Sequence, residues 1–143
     1  MQRPDAPSGV DEVLLEYGAS TDNTQAQIGF EENGKVTVMW EHSGGTATGT
    51  ATDVFWDTNA QSRHHLAIVK KDAGGGNHEV EYYRDGILTE TLIDSAPGPD
   101  GGDDSAMRLY VARGVSGQQY KGRIDDMRLS SVARTPTEIQ TSY

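Results

Sequence analysis

The sequence predicts an all-β fold, an antiparallel two-sheet sandwich that ends in a short helix. The 143 residues include seventeen glycines, many short runs of β-formers between turn signals, and no long apolar periodic segment. A chain of this length is expected to form one domain whose core needs no disulfide, and it contains no cysteine. We assign residues 1–9, with Pro4 and Pro7, to an extended N-terminal arm and residues 10–143 to the sandwich.

The strands are predicted from β-rich runs and the turn residues between them. The dipeptide Asn33-Gly34 predicts a hairpin with a two-residue type I′ turn, and Asp85-Gly86 predicts a second hairpin. Trp40 shares a strand face with Val36 and Val38, so we expect it to be an aromatic of the core or its rim and not a platform for sugars. About nine strands are predicted in all, at residues 13–17, 28–30, 35–41, 46–55, 66–70, 80–83, 87–92, 107–111 and 122–129.

The last predicted strand, residues 122–129, has an irregular apolar spacing. Ile124 and Met127 are three residues apart, whereas side chains on one face of a strand recur every two residues. A β-bulge at Asp125-Asp126 would restore the phase. We therefore predict that Met127 and Leu129 lie on the core face with Ile124.

A short helix is predicted directly after this strand. Thr135 is a suitable N-cap, Pro136 fits the first helical position, and Glu138 can reach back to complete a capping box. We expect Ile139 to pack this helix onto the sheet.

These residues resemble the closing strand and helix of the laminin G-like, concanavalin A-like lectin/glucanase domains, which are jelly-roll sandwiches. His64-His65 and the Asp85-Gly86 hairpin resemble the paired central strands of the same family. The resemblance implies a jelly roll but no single function, because that fold serves many functions. The matching closing residues are Tyr120, Gly122, Ile124, Asp125, Asp126, Met127, Arg128, Thr135, Glu138 and Ile139.

The family pattern also includes two opening strands that this sequence lacks, one of which lies beside the closing strand. Without them, residues 122–129 would keep unpaired backbone groups and an uncovered apolar flank. We therefore predict that the arm, residues 1–9, packs on a neighbouring subunit or scaffold. Deleting it should then weaken assembly more than it weakens the fold.

Catalytic residues are not indicated. Glu79 and Glu81 would project from one face of a strand roughly 7 Å apart, a spacing open to a glycosidase pair. A polar strand face is the simpler interpretation, since no third acid follows at the spacing of the fold's glucanases. His64 and His65 should point to opposite faces and cannot act as a pair. We predict that the chain is not an enzyme.

A calcium site is the one metal site that the sequence suggests. Asp100, Asp103 and Asp104 lie on a glycine-rich loop that could surround a hard cation. Asp125 matches a position that often ligates structural calcium in the family. The alternative is a solvated acidic loop, with Asp125 bonded to nearby backbone amides. No other cofactor is expected.

Charge and hydropathy limit the partners. The net charge of −10, from 12 basic and 22 acidic side chains, would repel nucleic acid, and no stretch is apolar enough for membrane insertion. The first nine residues lack the apolar run of a signal peptide. We expect folding in the cytoplasm and a later position on a virion or extracellular surface.

Two functions remain open on the sequence alone. The first is a non-catalytic structural or adhesive module of a larger assembly, such as a phage virion surface protein that decorates a capsid or forms part of a tail. Its partners would be further copies of the chain, as a homo-oligomer, or a scaffold such as a capsid. The alternative is a lectin-like module that binds glycans by stacking sugars on exposed Trp56, Tyr82 and Tyr110.

Overall fold

The structure is a computed structural model that describes residues 12–20, 23–31, 33–42, 45–56, 62–75, 77–94, 108–114 and 117–143. The predicted N-terminal arm lies outside these residues. Within them are eight strands and one helix. They are β1 (Glu12–Ser20), β2 (Asn23–Phe30), β3 (Lys35–His42), β4 (Gly45–Val54), β5 (Leu66–Gly74), β6 (Asn77–Arg84), β7 (Ile87–Asp94), β8 (Arg108–Val111) and α1 (Pro136–Ser142).

The strands form two antiparallel sheets, one of five strands in the order β4-β3-β2-β1-β8 and one of three in the order β5-β6-β7. The sheets approach closely where β4 crosses β7. A Cβ atom built on Gly49 would lie 2.8 Å from Leu92 Cδ1, so a larger residue at this position would require Leu92 to move. The predicted two-sheet sandwich is confirmed.

Aromatic side chains fill the space between the sheets. Phe55 packs edge-on against Trp56 with 4.7 Å between ring centroids, and Phe30 lies 5.5 Å from Phe55. Such pairs contribute about 0.5–1.5 kcal/mol each beyond the area that they bury. Trp40 is buried in the same cluster, as the sequence predicted.

The two predicted hairpins differ in their turns. Asp85 and Gly86 both adopt positive φ angles, 53° and 75°, as a two-residue type I′ turn requires. At the other hairpin only Gly34 does so, with φ 81°, and its amide donates to the Glu31 carbonyl at 2.8 Å. The type I′ prediction for Asn33-Gly34 is therefore wrong, because the reversal begins two residues earlier and ends on a single left-handed glycine.

The terminal helix forms as predicted. Thr135 is the N-cap and its side chain accepts from the Glu138 amide, while Glu138 accepts from the Thr135 amide and Pro136 is the first helical residue. Ile139 is only 4% exposed and packs in a cluster with Val69 and Tyr83. The helix is therefore docked on the outer face of the three-stranded sheet.

The predicted closing strand is absent. Residues 122–129 contain only an isolated bridge at Arg123, and Asp126 turns the chain with φ 50° and pairs with Arg128. The expected burial of Met127 and Leu129 is wrong as well, since both are exposed, whereas Ile124 packs against the core. A strand needs a neighbour for its backbone groups, and no described strand forms a ladder with these residues.

No helix in the described ranges has both the length and the apolar character that crossing a membrane would require.

Candidate functional site

A groove of about 820 Å³ lies on the outer face of the five-stranded sheet, and we call it the polar groove. It is on this face because Val36 and Val38 point into the core, so that Thr37 between them points outward. Thr37 pairs with Thr50 of the neighbouring strand β4. The polar residues that line the groove are Glu12, Gln27, Glu31, Asn33, Thr37, Thr50 and Gln118.

Hydrogen bonds across the floor of the polar groove have a defined direction. The Thr50 hydroxyl donates to Glu31 Oε1 at 3.0 Å. Thr37 Oγ1 lies 3.2 Å from Thr50 Oγ1, and because Thr50 has already used its single hydrogen, Thr37 must be the donor. Asn33 Nδ2 donates to Glu31 Oε2 at 3.0 Å. The chain of donors therefore ends at the Glu31 carboxylate.

Strand β1 carries two buried carboxylates, Glu12, which lines the groove, and Glu16. Gln27 Nε2 donates to Glu16 Oε2 at 3.1 Å, and the Lys121 amide donates to Glu12 Oε2 at 3.2 Å. The segment after β8 is held over this strand, since the Ala112 amide donates to the carbonyl of Leu14 at 2.8 Å. This side of the groove is thus fixed by contacts between residues far apart in the sequence.

The charge of the groove is negative. Glu12 and Glu31 line it, and its described lining residues include no lysine or arginine. The polar groove is therefore an acceptor-rich, acidic surface.

The three aromatic side chains predicted to bind glycans are not brought together. Trp56 is 9% exposed and Tyr82 1% exposed, and both lie in the aromatic core. Burial raises the pKa of the Tyr82 hydroxyl well above its usual range. Tyr110 lies on the edge strand β8 and is partly exposed. Of the three, only Tyr110 offers part of its ring to a ligand in this structure.

The predicted calcium ligands lie mostly outside the described residues. Asp100, Asp103 and Asp104 are not among the residues that the structure describes. Asp125 is described and is exposed. Among the residues that the structure describes, no three His, Asp or Glu side chains converge as a metal ion would require. The calcium site therefore stays a prediction.

Glu81 is part of a buried ion pair. It is 7% exposed, its carboxylate pairs with Lys71, and the Tyr83 hydroxyl donates to its Oε2 at 2.7 Å. Burial favours the neutral acid, but the hydrogen bonds from Lys71 and Tyr83 outweigh it and lower the pKa of Glu81. Burial and the bond to Glu81 raise the pKa of Tyr83 to about 12. A glycosidase acid needs a raised carboxyl pKa, so Glu81 is tuned in the opposite direction.

The two adjacent histidines lie on opposite sides, as predicted. His64 is buried, with Nδ1 2.8 Å from Asp85 Oδ2 and Nε2 3.2 Å from Arg84 Nη2. Arginine can only donate, so Nε2 accepts and the proton on Nδ1 is donated to Asp85. The His65 ring instead lies 5.9 Å from the ring of Tyr143, at the end of α1. The hydrogen bonds from the His64 ring and the His65 amide to the Asp85 carboxylate hold the β6–β7 turn in place.

A second surface feature is the extended segment at residues 122–134, which we call the exposed strip. Every residue in it except Ile124 is exposed. Met127, Leu129 and Val132 are 44%, 64% and 68% exposed. The exposed strip therefore presents apolar side chains at closely spaced positions.

Sequence reasoning missed the polar groove. A signal existed in the outward position of Thr37 on β3 and in the alternating threonines of β4. Glu12 and Gln118 gave no such signal, because they reach the groove only through contacts with residues far away in the sequence.

A laminin G-type family model, described as the concanavalin A-like lectin/glucanases superfamily, matches residues 2–140. No curated protein and no solved structure matches the sequence significantly. The family model covers nearly all of the chain, including both sheets and α1. The chain therefore belongs to the concanavalin A-like lectin/glucanases superfamily.

Proposed function

We propose that this chain is a non-catalytic binding module that works as one copy within a larger assembly. The exposed strip carries the proposal. Three large apolar side chains, Met127, Leu129 and Val132, lie within six residues and face solvent. Several exposed large apolar side chains in one short segment are typical of a protein contact site. The partner would be another copy of the chain or a scaffold.

In its more specific form, the proposal places the chain on the surface of a phage virion, as a capsid decoration or tail component. An acidic, cysteine-free domain suits a particle that assembles in a reducing compartment and is released later. Residues 1–9 would then contact the neighbouring subunit or capsid. A virion or extracellular location is part of the same proposal.

The buried ion pair supports the non-catalytic part of the proposal. Glu81, one member of the carboxylate pair that could have served a glycosidase, is neutralised by Lys71 and bonded by Tyr83. A residue held in this way contributes to the stability of the sheet, and activating it for acid catalysis would require breaking both contacts.

Self-association of the isolated chain tests the proposal. We expect light scattering after size-exclusion chromatography to give a mass above 15.5 kDa that rises with concentration. The double variant Leu129→Ser/Val132→Ser should be monomeric. The matched control Ile87→Ser/Leu88→Ser changes two other exposed apolar side chains and should behave as the parent.

Deletion of residues 1–9 is a second test of the same proposal. We expect the deletion to lower the mass while leaving the melting temperature nearly unchanged. A parent chain that stays monomeric at high concentration and also fails to bind any particle would refute the assembly function.

A second candidate function is glycan binding in the polar groove. Its specific support is the combination of carboxylate, carboxamide and hydroxyl groups along one open channel, which is suited to sugar hydroxyls. The superfamily includes lectins by its description, which agrees with this candidate.

A further inference from the structure

The direction of the hydrogen bonds in the polar groove points to the class of ligand that it takes. We propose that the groove binds a glycan segment that is rich in hydrogen-bond donors and carries no negative charge, with amino sugars preferred. This inference rests on the glycan-binding candidate above and adds to it the charge and the hydrogen-bonding character of the ligand.

Three residues on the groove floor, Thr37, Thr50 and Glu31, have no hydrogen left to donate to a ligand. Thr37 gives its hydrogen to Thr50, and Thr50 gives its hydrogen to Glu31. These three residues can therefore only accept hydrogen bonds from a ligand, through the lone pairs of their oxygen atoms. A ligand that approaches the floor must therefore bring its own donors, such as hydroxyl or ammonium groups.

The charge of the groove also favours a ligand without negative groups. Glu31 is partly exposed, and both of its oxygens already accept a hydrogen bond, which holds the carboxylate in place. Glu12 is on the same groove, with no lysine or arginine among the described lining residues. An anionic sugar would meet a like charge at Glu31, whereas an ammonium group would meet one of opposite charge.

The groove also has a size and a rigidity that suit an oligosaccharide. A volume of about 820 Å³ lies within the range of small-molecule sites, so the groove can take more than one sugar ring. The floor belongs to paired strands, and β3 pairs with β4 through Thr37 and Thr50. Binding therefore needs little ordering of the protein, which favours affinity.

Calorimetric titration of the full chain with three oligosaccharides of equal length tests the inference. The probes are tetramers of glucosamine, of glucose and of an acidic uronic sugar, at a pH where the amino groups are protonated. We expect the glucosamine tetramer to bind most tightly, the glucose tetramer more weakly, and the acidic tetramer not to bind.

Variants on the groove floor separate charge from hydrogen bonding. Glu31→Gln keeps an acceptor but removes the charge, so it should weaken glucosamine binding about tenfold and change glucose binding little. Thr37→Val should weaken both about fivefold, while Thr37→Ser should restore them. Glu79→Gln, on the other sheet, is the control and should change neither. A melting curve shows that each variant is folded.

The outcomes separate the proposed class of sugar from glycan binding itself. Equal or tighter binding of the acidic tetramer, or a glucosamine preference that survives Glu31→Gln, would overturn the ligand class while glycan binding stands. Failure of all three sugars to bind the folded chain would overturn glycan binding itself. The assembly function is decided separately, by self-association through the exposed strip.

Discussion

Helix α1 and the exposed strip adjoin each other in the chain but are held in different ways. The helix satisfies its own backbone through i to i+4 bonds and the Thr135 cap, and it needs one buried side chain, Ile139, to dock. The strip has no ladder partner among the described strands, so its apolar side chains stay in solvent. A capped helix can therefore pack on a sheet face by itself, whereas an extended segment needs a neighbouring strand for its backbone groups.

The largest expected effect comes from removing the docking side chain of the helix. Ile139→Ala should lower the free energy of unfolding by about 2–3 kcal/mol, because it leaves a cavity against Val69 and Tyr83. The matched control in the strip, Val132→Ala, should change it by less than about 0.5 kcal/mol. Urea unfolding measures both. Equal losses would mean that the strip is as well packed as the helix.

The second largest loss of stability is expected from breaking the ion pair of Lys71 and Glu81. Lys71→Met should cost about 1–3 kcal/mol at neutral pH, because it leaves the Glu81 carboxylate buried with only Tyr83 as partner. The pKa of Glu81 is lowered in the folded chain, so its contribution is present above its ordinary pKa and is lost as pH falls through the folded value. The difference between parent and variant should therefore shrink in acid. A difference independent of pH would contradict the ion-pair account.

The helix cap gives a smaller effect. Thr135→Ala removes the acceptor for the Glu138 amide and should cost about 1 kcal/mol, whereas Thr135→Ser should cost much less. Thermal unfolding of the three proteins gives the comparison. An unchanged melting temperature in the alanine variant would mean that docking through Ile139, without the cap, sets the stability of this end.

The same contrast explains what could be predicted from the sequence. The cap at Thr135 and the Asp85-Gly86 turn were predictable because the residues that decide them lie within four positions. The positions of β1 to β8 followed from local patterns as well, whereas the strand predicted at residues 122–129 did not form. The exposure of Met127 and Leu129 was not predictable, since their burial would require a neighbouring strand, which the local sequence does not reveal.

The polar groove shows the same limit. The outward direction of Thr37 follows from alternation along β3, which is local. The groove itself depends on Glu12 and Gln118 meeting across strands, and on a hydrogen bond from the Lys121 amide to Glu12. Contacts over such separations are set by the fold as a whole, so a pattern search along the chain cannot find them.

His65 lies between the two regions and gives the smallest effect. Its ring is beside Tyr143 of the helix end, and its Nδ1 is buried without a partner among the described residues. Burial lowers the pKa of His65, and the charge of Arg128 in the exposed strip lowers it further, while Asp85 and Asp126 act in the opposite direction. The charge of Arg128 in the exposed strip is therefore one of the smaller contributions to the pKa of a ring at the end of the helix.

The sign of the pH dependence follows from that lowered pKa. Below about pH 6.5 the unfolded chain binds a proton at His65 more readily than the folded chain, so stability is lost as pH falls through the unfolded pKa toward the folded value. The loss should stay below about 1 kcal/mol, since the ring is partly exposed. Melting temperatures from pH 5 to 8 should show this loss in the parent and in His78→Gln, but not in His65→Gln. Arg128→Gln should reduce it, because it removes one of the charges that lower the pKa. If Arg128→Gln leaves the profile unchanged, the strip and the helix end are electrostatically independent.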